Sequence, residues 1–243
     1  MRLPCQLFLS SVLLLGLGAP AWAAPAQYVL DPVHTRVQFA IDHAGFSKAI
    51  GTVSGSTGTI VFDPDDWSTA RVEVSIPIAR VDLGDAKWNQ ATLARNLLDG
   101  EQHPVATFVS TRIEPIDAQR AIVHGDLTLR GETREVALQV VLNGLKRYPL
   151  PPFRRTVGFS ATAALSRAEF GIDAWKSVIG DAVELRLEVE ASRSRGGTGA
   201  GDDADADADA DADAADDAPD DEMSTPDAPV EDTPATPPTE PTP

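Results

Sequence analysis

From about Tyr28 to Ala191 the chain alternates apolar and polar residues in short runs with a period of two. Val136, Leu138, Val140 and Leu142 are interleaved with Glu135, Ala137 and Gln139. Val183, Leu185, Leu187 and Val189 are interleaved with Glu184, Arg186, Glu188 and Glu190. Successive side chains of a strand point to opposite faces, so each run predicts a strand with one apolar and one largely wetted face. Eight such strands are predicted: Thr35–Ile41, Gly51–Val61, Arg71–Val81, Val105–Ile113, Ala121–Leu129, Glu135–Leu142, Val157–Leu165 and Val183–Val189. Turn residues separate them at Asp63-Pro64-Asp65-Asp66, Arg130-Gly131-Glu132-Thr133 and Asn143-Gly144. Short connections favour an up-and-down antiparallel meander, which with eight strands closes into a barrel.

One segment departs from this period. Ala86 to Leu98 places Trp88, Ala91, Ala94 and Leu98 at helical spacing, with Asp85 as N-cap and Gly100 just past the end. A short amphipathic helix in a long connection is predicted, with Trp88 and Leu97 packing it on the barrel.

The ends do not read as globular. Met1 to Ala23 has Arg2, an apolar run from Leu7 to Leu17 and then Ala21-Trp22-Ala23, the pattern of a secretory signal cleaved after Ala23. The apolar run is too short to span a bilayer. The single cysteine, Cys5, precedes that run, so the exported chain is expected without disulfides and must be stable from its core.

Nearly all of the formal charge of −17 comes from the C-terminal end, residues 196 to 243, which carries −16. Gly197 to Pro243 holds thirteen Asp, three Glu and no Lys or Arg, including an Asp/Ala run from Asp202 to Asp213 and a Pro/Thr-rich end from Thr233. Such a segment has too little apolar surface to offset its ordering entropy, so a disordered acidic tail is predicted. Residues 24 to 196 carry 19 basic and 21 acidic residues, close to neutral, which gives no footprint for nucleic acid.

Catalytic signatures are sparse. His34, His43, His103 and His124 show no metal-ligand spacing, and no GxSxG elbow, Walker loop or dinucleotide fingerprint occurs. Ser160 lies within a predicted strand. Asp126, Asp173 and Asp181 could form paired acid–base carboxylates, but each also fits a turn or strand end. Neither a catalytic residue, a metal nor a cofactor is assigned. Small residues recur on one apolar face, as in Val157, Phe159, Ala161, Ala163 and Leu165. An eight-stranded barrel is just wide enough either to fill itself or to hold one small ligand, so a packed core and an apolar lumen both remain open.

Several stretches together resemble the YceI-like family of exported lipid-binding proteins. They are Tyr28-Val-Leu-Asp31-Pro-Val-His34-Thr-Arg-Val-Gln-Phe39, His43-Ala-Gly45-Phe46, Gly51 to Gly55, Gly58 to Asp63 and Pro104 to Ser110. Gly125-Asp126-Leu127-Thr128-Leu129-Arg130-Gly131-Glu132-Thr133 follows, then Gly158-Phe159 through Leu165 to Ile172, and Gly180 to Val183. The resemblance implies an all-β, lipocalin-like antiparallel barrel over residues 24–195, periplasmic and often dimeric. Its lumen would hold a polyisoprenoid such as a prenyl diphosphate or a quinone tail. Relatives commonly carry an Arg-Asp pair and a His in the helix. Anchored on Leu93, those places hold Asn89, Gln90 and Thr92, which leaves the head-group preference open.

The leading expectation is therefore a carrier for an isoprenoid or similar long-chain lipid. Its lumen residues are Val37, Phe39, Ile41, Val74, Ile76, Phe108, Leu127, Leu129, Phe159, Ala161 and Ala163; His34, His43, Asp126 and Trp175 are placed at the mouth. A transient membrane contact and a homodimer stay open as partners. The competing readings are a lipid-processing enzyme using His34, His124 or Asp126 as acid or base, and a partner-binding module with a filled core.

Overall fold

The computed structural model describes residues 25–194. The signal sequence and the acidic tail read from the sequence lie outside the described residues. Eleven strands form one antiparallel sheet: β1 (Ala26–Leu30), β2 (Arg36–His43), β3 (Ser47–Ser54), β4 (Thr57–Phe62), β5 (Arg71–Pro77), β6 (Val81–Asp82), β7 (Val105–Pro115), β8 (Arg120–Leu129), β9 (Glu132–Arg147), β10 (Arg155–Ser166) and β11 (Ile179–Arg193). The hydrogen-bonded order runs β1-β4-β5-β7-β8-β9-β10-β11, and β11 pairs back to β1, so eight strands close a ring.

The count of eleven and the predicted eight agree once three kinks are recognised. β1 and β2 both run antiparallel to β11, with Leu30 opposite Ala191 and Arg36 opposite Glu188, so together they act as one bent strand. β3 leads into β4 through Gly55, which has a φ of 78°, and Pro77 with one 3-10 turn at Ile78–Arg80 joins β5 to β6. The Gly55 amide donates to the Pro32 carbonyl, setting two of these kinks side by side. Below them β2-β3-β6 continue the wall.

β1 was absent from the predicted set, although Tyr28 and Leu30, both buried, alternate there with Gln27 and Val29. Five residues give too short a run to separate from a loop. Asn143-Gly144 is no turn: β9 runs through it to Arg147, and a bulge leaves Asn143 unpaired between the Gly144–Gly158 and Leu142–Phe159 pairs. The Asn143 amide instead donates to the Ser160 hydroxyl across the strands. Arg130-Gly131 does turn the chain, with φ of 52° and 79° at the two hairpin residues, the left-handed pair of a tight two-residue loop.

Helix α1 (Ala86–Leu93) is shorter than predicted. The Asp85 carboxylate caps it by accepting from the Lys87 and Trp88 amides. Ala94 leaves helical geometry, and the chain turns back with the Gly100 amide donating to the Leu93 carbonyl. Leu97 packs against the barrel as predicted, but Trp88 is 46% exposed.

The two barrel ends differ. One is stoppered by the loop between β4 and β5, where Asp66 caps a 3-10 turn that drops Trp67 inward. Trp67, Phe62 and Phe159 meet edge to face, with ring centroids 4.9, 5.2 and 6.0 Å apart. The other end carries the β2–β3 hairpin, α1 and the loop between β10 and β11.

The β1–β2 joint is held by local polar contacts. Thr35, 2% exposed, exchanges hydrogen bonds with the Glu190 backbone. Outside it, the His34 ring contacts the Asp31 carboxylate at 2.7 Å. That hydrogen bond and the carboxylate's charge raise the His34 pKa above its ordinary 6.5. Partial burial pushes Asp31 upward, but the His34 ring and the Val33 and His34 amides outweigh it and hold its pKa below 3.8.

Replacing Phe62, 2% exposed, by Ala removes the middle of the stopper and should cost about 3–5 kcal/mol in urea unfolding; a loss under 1 kcal/mol would contradict the packing. The His34 imidazole should titrate above its ordinary range by NMR and return to it in Asp31→Asn. The sign follows from the shifts: His34's contribution is full below the ordinary imidazole value and lost as pH rises through the raised one. Asp31's contribution is present above the ordinary carboxylate value and lost as pH falls through the lowered one.

Candidate functional site

The inward faces of the strands do not meet across the barrel. They enclose a cavity of about 640 Å³, within the ~300–1,000 Å³ range typical of ligand sites. The filled-core reading therefore does not hold. The walls are almost wholly apolar; the polar residues among the lining are Thr35, Arg36, Asp42, His43, Ser56, Thr92, Asn96 and Arg167.

Ten of the eleven predicted lumen residues line this cavity: Val37, Phe39, Ile41, Val74, Ile76, Phe108, Leu127, Leu129, Phe159 and Ala161. Ala163 does not, because it packs into a second cluster around Val136, Phe170 and Ile172 that supports the wall. The same alternation brings Val183, Leu185, Leu187 and Val189 of β11 to the lining.

Glycines let large rings lie flat against this wall. Gly51 of β3 faces Phe39 of β2 across the sheet, and a Cβ there would collide with the Phe39 ring and come 3.1 Å from Leu83 Cγ. Gly125 of β8 leaves the same room for the ring of Phe108, next to the Val109 carbonyl. Without these glycines both rings would turn toward the axis.

Two of the four predicted mouth residues are at the cavity. His43 and Trp175 line it, and the His43 ring sits 5.5 Å from that of Trp88, which also lines it. His34 and Asp126 are not at the mouth. His34 lies at the β1–β2 joint on Asp31, and Asp126 points outward from β8, where inward Leu127 is its neighbour. The error came from counting strand ends: the joint interrupts one bent strand partway along the barrel, and Asp126 has the outward parity of its strand.

His124, like Asp126, has the outward parity of β8. Its Nε2 lies 3.3 Å from Glu114 and its Nδ1 3.9 Å from Glu135. The residues named for acid–base chemistry are thus separate from the cavity. Asp173 pairs with Lys176 at 3.2 Å. Asp181 accepts from the Ala168 amide, and its pKa is lowered chiefly by the Ser166 hydroxyl, with that amide second.

Arg167 was not anticipated. It is 5% exposed and lines the open half of the cavity. Its Nε donates to the Gly180 carbonyl at 2.7 Å, Nη1 to Ile172 at 2.8 Å and Nη2 to Ile179 at 2.9 Å, pinning the β10–β11 loop. Three of its five N–H groups are used, which leaves two directions for a further acceptor. The signal was available in the sequence as an arginine closing an apolar run at Leu165-Ser-Arg167. Thr92 also lines the cavity, whereas Asn89 is engaged locally, accepting from the Leu83 amide and donating to Asp82. The Ser56 hydroxyl and Trp67 indole N–H are buried with no protein partner among the described residues.

Comparison with known proteins places this architecture. A UPF0312 protein of Pseudomonas savastanoi is 32% identical over 152 residues, covering 62% of this chain and 78% of the relative. One from Shewanella baltica is 30% identical over 186 residues, covering 76% and 96%. Among solved structures, Burkholderia cenocepacia BcnA superposes with a TM-score of 0.61 at 22% identity, covering 67% of this chain and 99% of its own. A polyisoprenoid binding domain from Saccharophagus degradans gives 0.54 at 14% identity, covering 70% and 99%. These structures share the fold. The family model for the YceI-like domain matches residues 28–191, from the first closing strand to the last, and the chain belongs to the YceI-like family.

Proposed function

We propose that this protein is a periplasmic carrier that holds a polyisoprenoid, or a similar long-chain lipid or quinone tail, in its barrel without transforming it. The observation that carries this reading is the cavity itself: about 640 Å³, blind at the Trp67 stopper and walled by aliphatic and aromatic side chains. The polyisoprenoid binding domain of Saccharophagus degradans, which shares the fold, supports the choice of ligand class.

The energetics suit a hydrocarbon. Burial is worth ~0.8 kcal/mol per methylene, so five isoprene units supply on the order of 15–20 kcal/mol at most. Association and chain ordering cost ~4–15 kcal/mol, so over the lower half of that range the hydrocarbon alone reaches micromolar binding. The head group would sit at the open end, where His43, Thr92, Asn96 and Arg167 supply the polar contacts. Export through the N-terminal signal, a transient membrane contact for loading and a homodimer belong to the same proposal.

Native mass spectrometry of the mature protein, purified without organic solvent, should show an added mass that extracts as an isoprenoid. Lipid-free protein that also ignores added polyprenols and quinones would overturn the carrier. Gly51→Val drives Phe39 off the wall and into the lumen; it should cost about 1–3 kcal/mol of stability and weaken polyprenol uptake roughly tenfold. Unchanged uptake by the folded variant would contradict the lumen as the binding site.

A further inference from the structure

The open end of the barrel exposes large apolar rings that the fold does not use. Phe46, at the tip of the β2–β3 hairpin, is 93% exposed; Trp175, in the β10–β11 loop, is 61% exposed; Trp88, in the first turn of α1, is 46% exposed. The remaining described tryptophan, Trp67, is buried at the opposite end. The three loops adjoin: the Ala44 amide donates to the Val178 carbonyl, the Val178 amide to the Trp175 carbonyl, and His43 lies against Trp88. His43, Trp88, Trp175 and Val178 line the cavity, so the rings surround its opening.

A second feature coincides with the first. The chain has four lysines, Lys48, Lys87, Lys146 and Lys176. Three of them stand within two positions of these rings: Lys48 beside Phe46, Lys87 beside Trp88 and Lys176 beside Trp175. Lys48 pairs with Glu184 and Lys176 with Asp173, while Asp42 and Asp85 cap the hairpin and the helix, so the rim is mixed in charge. Indole rings favour the head-group level of a bilayer, and lysines reach from apolar surroundings back to water and phosphate.

We infer that this rim docks on the head-group layer of a phospholipid bilayer, with Phe46 and Trp175 entering the acyl boundary and Lys87 and its neighbours on the phosphates. The inference rests on the carrier proposal for its purpose: the cavity would open directly onto the membrane from which lipid is taken. A bilayer fits better than a second copy of this chain. The rings sit on separate tips around an opening, which a deformable surface can meet at once, whereas a rigid two-fold partner would have to match all three tips and bridge the opening between them.

The test uses the mature chain and vesicles of phosphatidylethanolamine with phosphatidylglycerol, some acyl chains brominated to quench nearby indoles. Vesicles should quench Trp88 and Trp175 and spare Trp67. Phe46→Ser changes a ring that does not line the cavity, and it should weaken partitioning by about tenfold while polyprenol uptake from detergent micelles stays unchanged. Lys87→Glu should weaken binding to these vesicles and leave binding to pure phosphatidylcholine as it was. Absence of quenching at any lipid concentration, quenching unaltered by both substitutions, or a dimer that buries the rim in place of vesicle binding would overturn the inference. Vesicle binding by a protein that takes up no lipid would defeat the carrier and leave the docking; a loaded lumen without vesicle binding would do the reverse.

Discussion

β11, with one edge shared between two partners while its other edge bonds to β10, sustains the rest of the structure. Its fifteen residues run from Ile179 to Arg193; the C-terminal end bonds to β1 and the remainder to β2. Closing the ring there pairs off the edges of the eight ring strands that an open meander would expose, leaving only the short seam at β6. It also fixes the circumference, because eight paired strands set the distance across the barrel whatever side chains fill it. The interior is then decided by side-chain size alone. Aromatic residues crowd one end and stopper it, while alanines and rings laid over glycine leave the middle unfilled.

Much of this is legible in the sequence. Strand number, the inward parity of Val37, Val74, Leu127 and Phe159, and the cap at Asp85 are local properties, carried by alternation and by the chemistry of one or two residues. What escaped the sequence depends on distant partners. β1 becomes a strand because β11 and β4 flank it, not because five residues demand it. Asn143-Gly144 has turn composition, yet the ladder to β10 continues through it as a bulge, and tertiary pairing overrides the local preference. His34 is misplaced for a related reason, since a strand's position along a barrel requires the register of all its neighbours, whereas Asp126 lies away from the mouth because its parity turns it outward.

The polar groups divide by location. On the outer wall His124, Glu114 and Glu135 approach one another, and Ser160 donates to Glu188 at 2.6 Å. These contacts lie on the outward side of the strands, away from the cavity. Of the cations at the lining, Arg167 directs three donors to main-chain carbonyls, so it shapes the loop beside the opening as well as offering a polar contact.

The side of the barrel beyond β6 differs from the others. β6 pairs with β3 but not with β7; the neighbouring wall is made by α1 and the chain that follows it, held by Leu97 and Leu98 against the Phe170 cluster and by Arg130 donating to the Arg95 carbonyl. Elsewhere, widening the ring breaks a ladder of backbone hydrogen bonds, each leaving two groups to be satisfied again. Here the joint is made by leucine packing, the Asn89 side chain bonded to Leu83 and Asp82, the Ile78 amide on the Pro104 carbonyl and the Arg130 guanidinium, with no strand ladder across it. Among the described residues, this flank is therefore the one stretch of the circumference where side chains rather than a backbone ladder carry the closure.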